Sequence, residues 1–348
     1  MFRPNLIATL VATTCLSAPA MAQDMPGEGT TVRPIIGLIA EEMFQARVLF
    51  SALEDLGYEV AEPQEVEIQT AHLALATGDG DFYPAHWETL QSAFFDESGG
   101  DDVLERVGPF IEGTLQGYLV DKETYDSGVT SLSDLTDPEV AAKFDANGDG
   151  SADLAGCVPG WGCERVIEHH LEEYDLSETV THNQGSYNAI MADVIARHEN
   201  GNPILYYTWT PYWVSGALVP GEDVEWLEVP YTSLPDGVEA ETTFDGKNIG
   251  FAVDNIFILA TDDFLADNPV AAKLFEVAKI DINDISAQNK LMADGADSSD
   301  DIDQHVADWI SENQETYDDW LEQARAAACG SLGAAGVARG PSLKDGRD

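Results

Sequence analysis

Cys157 and Cys163 bracket Trp161 on a turn built from Pro159, Gly160 and Gly162. A Pro-Gly turn brings such close cysteines within bridging distance, so the expected product is a short disulfide loop that displays an indole. Two further tryptophans stand in similarly exposed contexts. Trp87 follows Tyr83-Pro84-Ala85-His86, and Trp209 ends the run Ile204-Leu205-Tyr206-Tyr207-Thr208, just before Thr210-Pro211. An indole face attracts cations, most strongly when the cation is weakly hydrated and the site is dry. Singly, each tryptophan reads as a packing residue; jointly, Trp87, Trp161 and Trp209 would cage a methylated onium group. A helix expected to begin at Gly162-Cys163-Glu164 adds the opposite pole, because free N–H groups at a helix N-terminus bind carboxylates. Cation cage and anion nest together describe a zwitterion site.

Other chemistry is poorly supported. The chain has no G-x-S-x-G elbow, P-loop, dinucleotide-binding G-x-G-x-x-G or H-E-x-x-H motif. No second cysteine pair or suitably spaced histidine pair accompanies Cys157 and Cys163, which argues against zinc. His169 and Glu173, four apart on an expected helix, read as a solvated face before they read as metal ligands. Asp145-Ala146-Asn147-Gly148-Asp149-Gly150-Ser151-Ala152-Asp153 places oxygen-bearing side chains at the alternate positions of a calcium loop, with Asp145, Asn147, Asp149 and Asp153 as candidate ligands. Its twelfth position is Gly156 where a bidentate Glu would stand. The expectation is an Asx-rich turn, with a weak calcium site as the alternative. No cofactor and no catalytic residue is expected.

The elements that must hold these residues follow from composition and pattern. Arg3, the apolar run Leu6–Leu16 and the small-residue ending Ala20-Met21-Ala22 read as a secretory signal peptide over residues 1–22, which directs the chain to the periplasm. Ala12-Thr13-Thr14 before Cys15 is a poor lipidation signal. The formal charge of −48 becomes −49 when Arg3 leaves with the peptide. Carboxylates spread over the whole chain repel nucleic acid and anionic membranes, so neither is an expected partner. Cys329, left over near the end, reads as a free thiol.

Strand-like and helix-like segments alternate. Val32–Ile39 reads as a strand, Glu41–Leu56 as a helix stopped by Gly57, Ser186–His198 as a helix, and Ile204–Thr208 as a short buried strand. Asn268–Val277 and Ile302–Ala328 read as helices. Such alternation predicts an α/β protein with mainly parallel sheets, whose ligands sit beyond the carboxyl ends of strands. Trp209 holds such a position. Gly117-Tyr118-Leu119-Val120 and Gly250-Phe251-Ala252-Val253 look like crossings between lobes. The expected organisation is therefore lobe 1 over residues 23–118 and 250–328, lobe 2 over 119–249, and a disordered tail over 329–348.

Long stretches carry a resemblance. Phe144-Asp145-Ala146-Asn147-Gly148-Asp149-Gly150, Gly160-Trp161-Gly162-Cys163-Glu164, Val180-Thr181-His182-Asn183-Gln184-Gly185 and Tyr206-Tyr207-Thr208-Trp209-Thr210-Pro211-Tyr212-Trp213 make the chain similar to ProX-type periplasmic binding proteins. These are the receptors of ABC importers for glycine betaine and proline betaine, and the similarity runs from about Gly27 to Ala326. The resemblance implies a two-lobed type II periplasmic binding protein fold that closes over its ligand. By position, Trp87, Trp161 and Trp209 match the family's aromatic box, the Gly162 and Cys163 N–H groups its carboxylate contacts, and Cys157–Cys163 its disulfide. The family's carboxylate-binding histidine is Gln91 here, which can donate through its amide but adds no positive charge. Arg165 is nearby, and reads as a solvent-facing helix residue before it reads as a substitute.

The resulting expectation is a non-enzymatic, monomeric periplasmic receptor that hands a small methylated onium zwitterion to an ABC importer permease. Glycine betaine is the first candidate and dimethylsulfoniopropionate the second. The competing readings are an exported enzyme acting on a trimethylammonium compound and a chemoreceptor-linked sensor protein.

Overall fold

A computed structural model describes residues 25–335, with side chains to residue 328; the expected signal peptide and residues 336–348 lie outside the described residues. The chain opens with β1 (Thr31–Val32) and β2 (Ile35–Ile36). The single strand expected over Val32–Ile39 is thus two short pieces. Pro34 stands between them, and Arg33 turns its N–H and guanidinium to the Asp81 carboxylate. Helix α1 (Met43–Asp55) buries Phe44, Val48, Leu49, Ala52 and Leu53, the stripe that its sequence spacing predicts. Gly57 ends it with φ +93°, a conformation that favours glycine.

β3 (Glu59–Val60) and β4 (Gln64–Glu65) pair in parallel with β1 and β2. Helix α2 (Ile68–Ala76) leads to β5 (Phe82–Trp87), which is buried along its whole length, and then to the short helix α3 (Ser92–Glu97). β6 (Leu104–Asp121) is the longest strand among the described residues. After it come β7 (Ala152–Ala155), helix α4 (Gly162–Glu173), β8 (Val180–Asn183), helix α5 (Tyr187–Glu199), β9 (Leu205–Thr210) and β10 (Val224–Trp226). The hairpin β11 (Thr243–Phe244) and β12 (Lys247–Asn248) precedes β13 (Asp254–Thr261). Helices α6 (Pro269–Val277), α7 (Ser299–Glu312) and α8 (Gln314–Ala335) follow. The backbone of α8 continues past Ala328 into the stretch expected to be a disordered tail.

One seven-stranded sheet carries the molecule, in the order β5-β13-β6-β9-β7-β8, with β10 also on β6. The expectation of mainly parallel pairing is corrected here. β5, β13, β6, β9 and β10 pair antiparallel, and only β7 runs parallel to β8 and β9. Alternation of strand and helix in a sequence does not encode which strands become neighbours, and the long β6 recruits partners from distant parts of the chain. Its first half, Leu104–Thr114, pairs with β13; its second half, from Leu115, pairs with β9 and β10. The change of partner falls just ahead of Gly117, where Trp226 packs 3.1 Å from where a Cβ would stand. Gly250-Phe251-Ala252-Val253 is the connection immediately before β13. A continuous apolar core runs through both halves of this sheet, from Val48 and Phe82 to Ile167 and Tyr206.

Candidate functional site

The cysteine loop is braced on every side. Cys157 and Cys163 are joined by a disulfide. Gly160 adopts φ +91°, and its N–H donates to Glu164 Oε2 at 2.6 Å. Glu164 Oε1 in turn accepts from Gln184 at 2.9 Å. The Cys157 N–H donates to His182 Nε2 at 3.1 Å, while His182 Nδ1 meets the Glu168 carboxylate at 2.7 Å. Trp161 therefore caps α4 in an extended conformation, and Gly162 and Cys163 become the first two helical residues. Their N–H groups find no acceptor among the described residues, and both residues line one cavity.

A second turn meets this helix end. Asp254, buried at the start of β13, accepts the N–H groups of Thr89, Leu90 and Asn255. Burial pushes its carboxyl up to about 6, against the pull of those three N–H bonds. The turn after Trp87 is thereby fixed so that the Leu90 carbonyl oxygen comes within 2.3 Å of where a Gly162 Cβ would be. Only glycine admits so close an approach.

The two elements meet at a cavity lined by Trp87, Gln91, Trp161, Gly162, Cys163 and Trp209, all six residues singled out from the sequence. The expectation of displayed indoles is corrected: Trp87 is 6% exposed and Trp209 7%, and only Trp161 is half-buried. For Trp209 the reason is aromatic packing. Trp161 meets Trp209 edge to face at 5.7 Å, and Trp209 is backed by Tyr212 at 4.2 Å, Tyr187 at 4.7 Å and Tyr207 at 6.1 Å. Burial strengthens such a cage, because cation–π attraction grows as water is excluded.

Gln91 is buried, and its amide nitrogen donates to the Ala85 carbonyl at 3.3 Å while Oε1 has no partner among the described residues. Arg165 lies outside this cavity; it pairs with Asp236 at 2.6 Å and lines an adjoining one. Sequence reasoning missed Glu42, Gln116 and Tyr207, which also line the cage. Gln116 Oε1 accepts from Tyr207 at 2.9 Å, leaving its buried amide nitrogen without a partner. A signal for Tyr207 existed in the aromatic run that ends at Trp209; Glu42 and Gln116 carried none among so many polar residues.

The remaining candidates lie elsewhere. In the Asp145–Asp153 loop the carboxylates turn onto the loop itself: Asp145 accepts from Gly148, Asp149 and Gly150, and Asp153 from Ala146 and Asn147. Asn183 also donates to Asp153, so the loop ties to β8. Among the described residues no cluster of His, Cys, Asp and Glu is arranged to hold a metal ion. His169 bonds Ser233, and Glu173 accepts from Tyr231. Buried His170 lies between the Tyr118 hydroxyl and the Ser233 carbonyl, and burial lowers it to about 4.

A family model described as the substrate binding domain of ABC-type glycine betaine transport systems matches residues 30–312. The chain is 47% identical over 324 residues to the glycine betaine/proline betaine-binding periplasmic protein of Escherichia coli (strain K12), covering 92% of this chain and 98% of that one. It is 44% identical over 328 residues to the protein of the same name from Salmonella typhimurium, with 93% and 99% covered. Lactococcal OpuAC, solved closed with glycine betaine, superposes with a TM-score of 0.65 at 20% identity, covering 84% of this chain and 99% of that one. An ABC-transporter choline binding protein solved with choline gives 0.66 at 18%, covering 90% and 100%. At such identities the structural likeness speaks to the fold, which is the α/β fold of these binding proteins.

Proposed function

This chain belongs to the family of substrate-binding domains of ABC-type glycine betaine transport systems, and from that premise we propose how it holds its ligand. It is a glycine betaine-binding receptor that serves an ABC importer. The onium head of a small methylated zwitterion enters the cage of Trp87, Trp161 and Trp209. Its carboxylate meets the Gly162 and Cys163 N–H groups at the start of α4, with Gln91 beside it. Glycine betaine is the first ligand and dimethylsulfoniopropionate the second. The single observation that carries this reading is that one cavity gathers all six residues.

The magnitudes suffice. Three desolvated cation–π contacts supply on the order of 6 kcal/mol gross. Charged hydrogen bonds to the carboxylate add about 1.5–3 kcal/mol each. A micromolar complex needs about 8 kcal/mol net. The proposed role is that of a receptor without catalysis, in keeping with relatives named as binding proteins.

The wider organisation belongs to the same proposal. Residues 23–118 with 250–328 form one lobe and 119–249 the other, and closure brings Leu90 onto Gly162. Residues 1–22 direct export to the periplasm and are removed. The mature chain works as a monomer that docks on its permease. Calorimetric titration of glycine betaine into wild type and into Trp87→Ala, Trp161→Ala and Trp209→Ala tests the cage. Each variant is expected to bind at least about tenfold more weakly, about 1.4 kcal/mol or more. Unchanged affinity in all three, or recovery of chemically altered ligand, would sink the reading.

A further inference from the structure

Glu42 ends a short 3-10 turn (Ala40–Glu42) and caps α1, on the wall of the cavity that holds the three tryptophans. The residue as a whole is half-buried, but its Oε2 is shielded from solvent and has no hydrogen-bond partner among the described residues. Gly37 leaves the space that this oxygen occupies: a Cβ there would stand 3.0 Å from Oε2. Tyr83 approaches the same spot from β5, and its hydroxyl is also unpartnered. Isolated buried carboxylates are costly, and they persist where a positive group completes them. A quaternary onium group has no N–H to direct a hydrogen bond. Its charge is spread over methyl groups, so it is answered by a nearby charge rather than by a donor–acceptor pair. A carboxylate beside an indole cage meets that need.

We propose that Glu42 supplies the counter-charge for the cationic head in this cavity, so that the site selects positive charge and not merely a trimethylated shape. The inference rests on the receptor reading given above and adds to it a residue outside the aromatic box. Burial, and then the adjacent Glu41, push the Glu42 carboxyl up to about 8. Burial thus favours the protonated form of the group, and a bound cation favours its ionised form. Indoles alone discriminate charge through their quadrupoles. Adding a carboxylate in a dry wall raises that discrimination, because Coulomb attraction strengthens as the surroundings lose water.

The test uses two probes of one shape: glycine betaine, and tert-butylacetate, in which carbon replaces the ammonium nitrogen. Both are titrated calorimetrically into the mature protein, as wild type, Glu42→Gln and Glu42→Asp, and each protein is melted without ligand. Glu42→Gln is expected to weaken glycine betaine at least tenfold while shrinking its preference over tert-butylacetate at least tenfold. Its unliganded melting temperature is expected to hold or rise, since an unpaired buried carboxyl is gone; a merely structural residue would lower stability and leave the preference alone. Glu42→Asp, which keeps the charge but withdraws it by one methylene, is expected to give an intermediate preference. A preference within threefold of wild type in Glu42→Gln overturns the inference. Glycine betaine binding that is lost in Trp161→Ala while the preference ignores Glu42 overturns this inference only. Binding that ignores Trp161 overturns the receptor reading with it.

Discussion

Gly162→Ala isolates the closure of the site from the stability of the chain. Gly162 begins α4 outside the left-handed region, so alanine suits its backbone and is a good first-turn residue. The obstacle is across the cavity: the new Cβ would lie 2.3 Å from the Leu90 carbonyl oxygen and 2.9 Å from Leu90 Cγ, where ordinary contact begins at 3.4 Å. That oxygen is backbone, and its segment is held through the Leu90 N–H on Asp254 at 3.0 Å. The α4 end and the Trp87–Gln91 turn must therefore stay apart by about 1 Å. At that separation the two N–H bonds to a ligand carboxylate lose their geometry. Taking about 1.5 kcal/mol for each, the low end for charged hydrogen bonds, the loss is about 3 kcal/mol. This is on the order of a hundredfold in affinity. Calorimetric titration of glycine betaine into wild type and Gly162→Ala measures it, with thermal unfolding of both unliganded proteins as the control. The expected result is a drop of at least about a hundredfold with a melting shift of no more than about 2 °C. Affinity within about threefold of wild type would refute the argument that this contact governs closure, and a large fall in melting temperature would refute the claim that the cost falls on binding alone.

Gln91 is neutral and buried, so a short carboxylate gains less from it than from a charged donor. Wild type is expected to bind dimethylsulfoniopropionate within about tenfold of glycine betaine, and Gln91→His to shift the ratio toward glycine betaine; an unchanged ratio by calorimetry counts against it. The Cys157–Cys163 bridge closes a short loop for which chain entropy predicts roughly 2–2.5 kcal/mol. Replacing both cysteines by serine should lower the melting temperature and weaken ligand binding, whereas equal affinity would show that the bridge does not orient Trp161. His170 titrates at about 4 in the fold against an ordinary value of 6.5, chiefly through burial. Because the folded value is depressed, the unfolded chain takes up this proton first as the pH falls. The stability contributed by neutral His170 is complete above pH 6.5 and is lost toward pH 4, at roughly 1.4 kcal/mol per pH unit. Urea unfolding of wild type and His170→Asn between pH 6.5 and 4.5 should show a shallower slope in the variant, and parallel slopes would refute it.

The ligand class was legible in local chemistry. Tryptophans beside turn residues, a cysteine pair around one of them and a helix start at Gly162 are properties of short segments, and each formed where its spacing predicted. Helix α1 likewise followed from its apolar stripe and Gly57, and α5 from the pattern around Tyr187–Glu199. Three features required the folded chain. The antiparallel pairing of β6 with β13 and β9 joins segments far apart in sequence, and period-two patterning does not name a strand's neighbour. Burial of Trp209 depends on Tyr187 and Tyr212 packing against it beside its strand neighbour Tyr207, and Trp87 is buried at the end of β5, so turn context alone suggested exposure. Glu42 is one of 64 acidic residues, and only the packing of its turn against Gly37 and Tyr83 sets it apart. A sequence states which side chains carry charge and where a helix can begin. Which charge loses its water is a property of the surfaces that close around it, and the tertiary structure alone decides that.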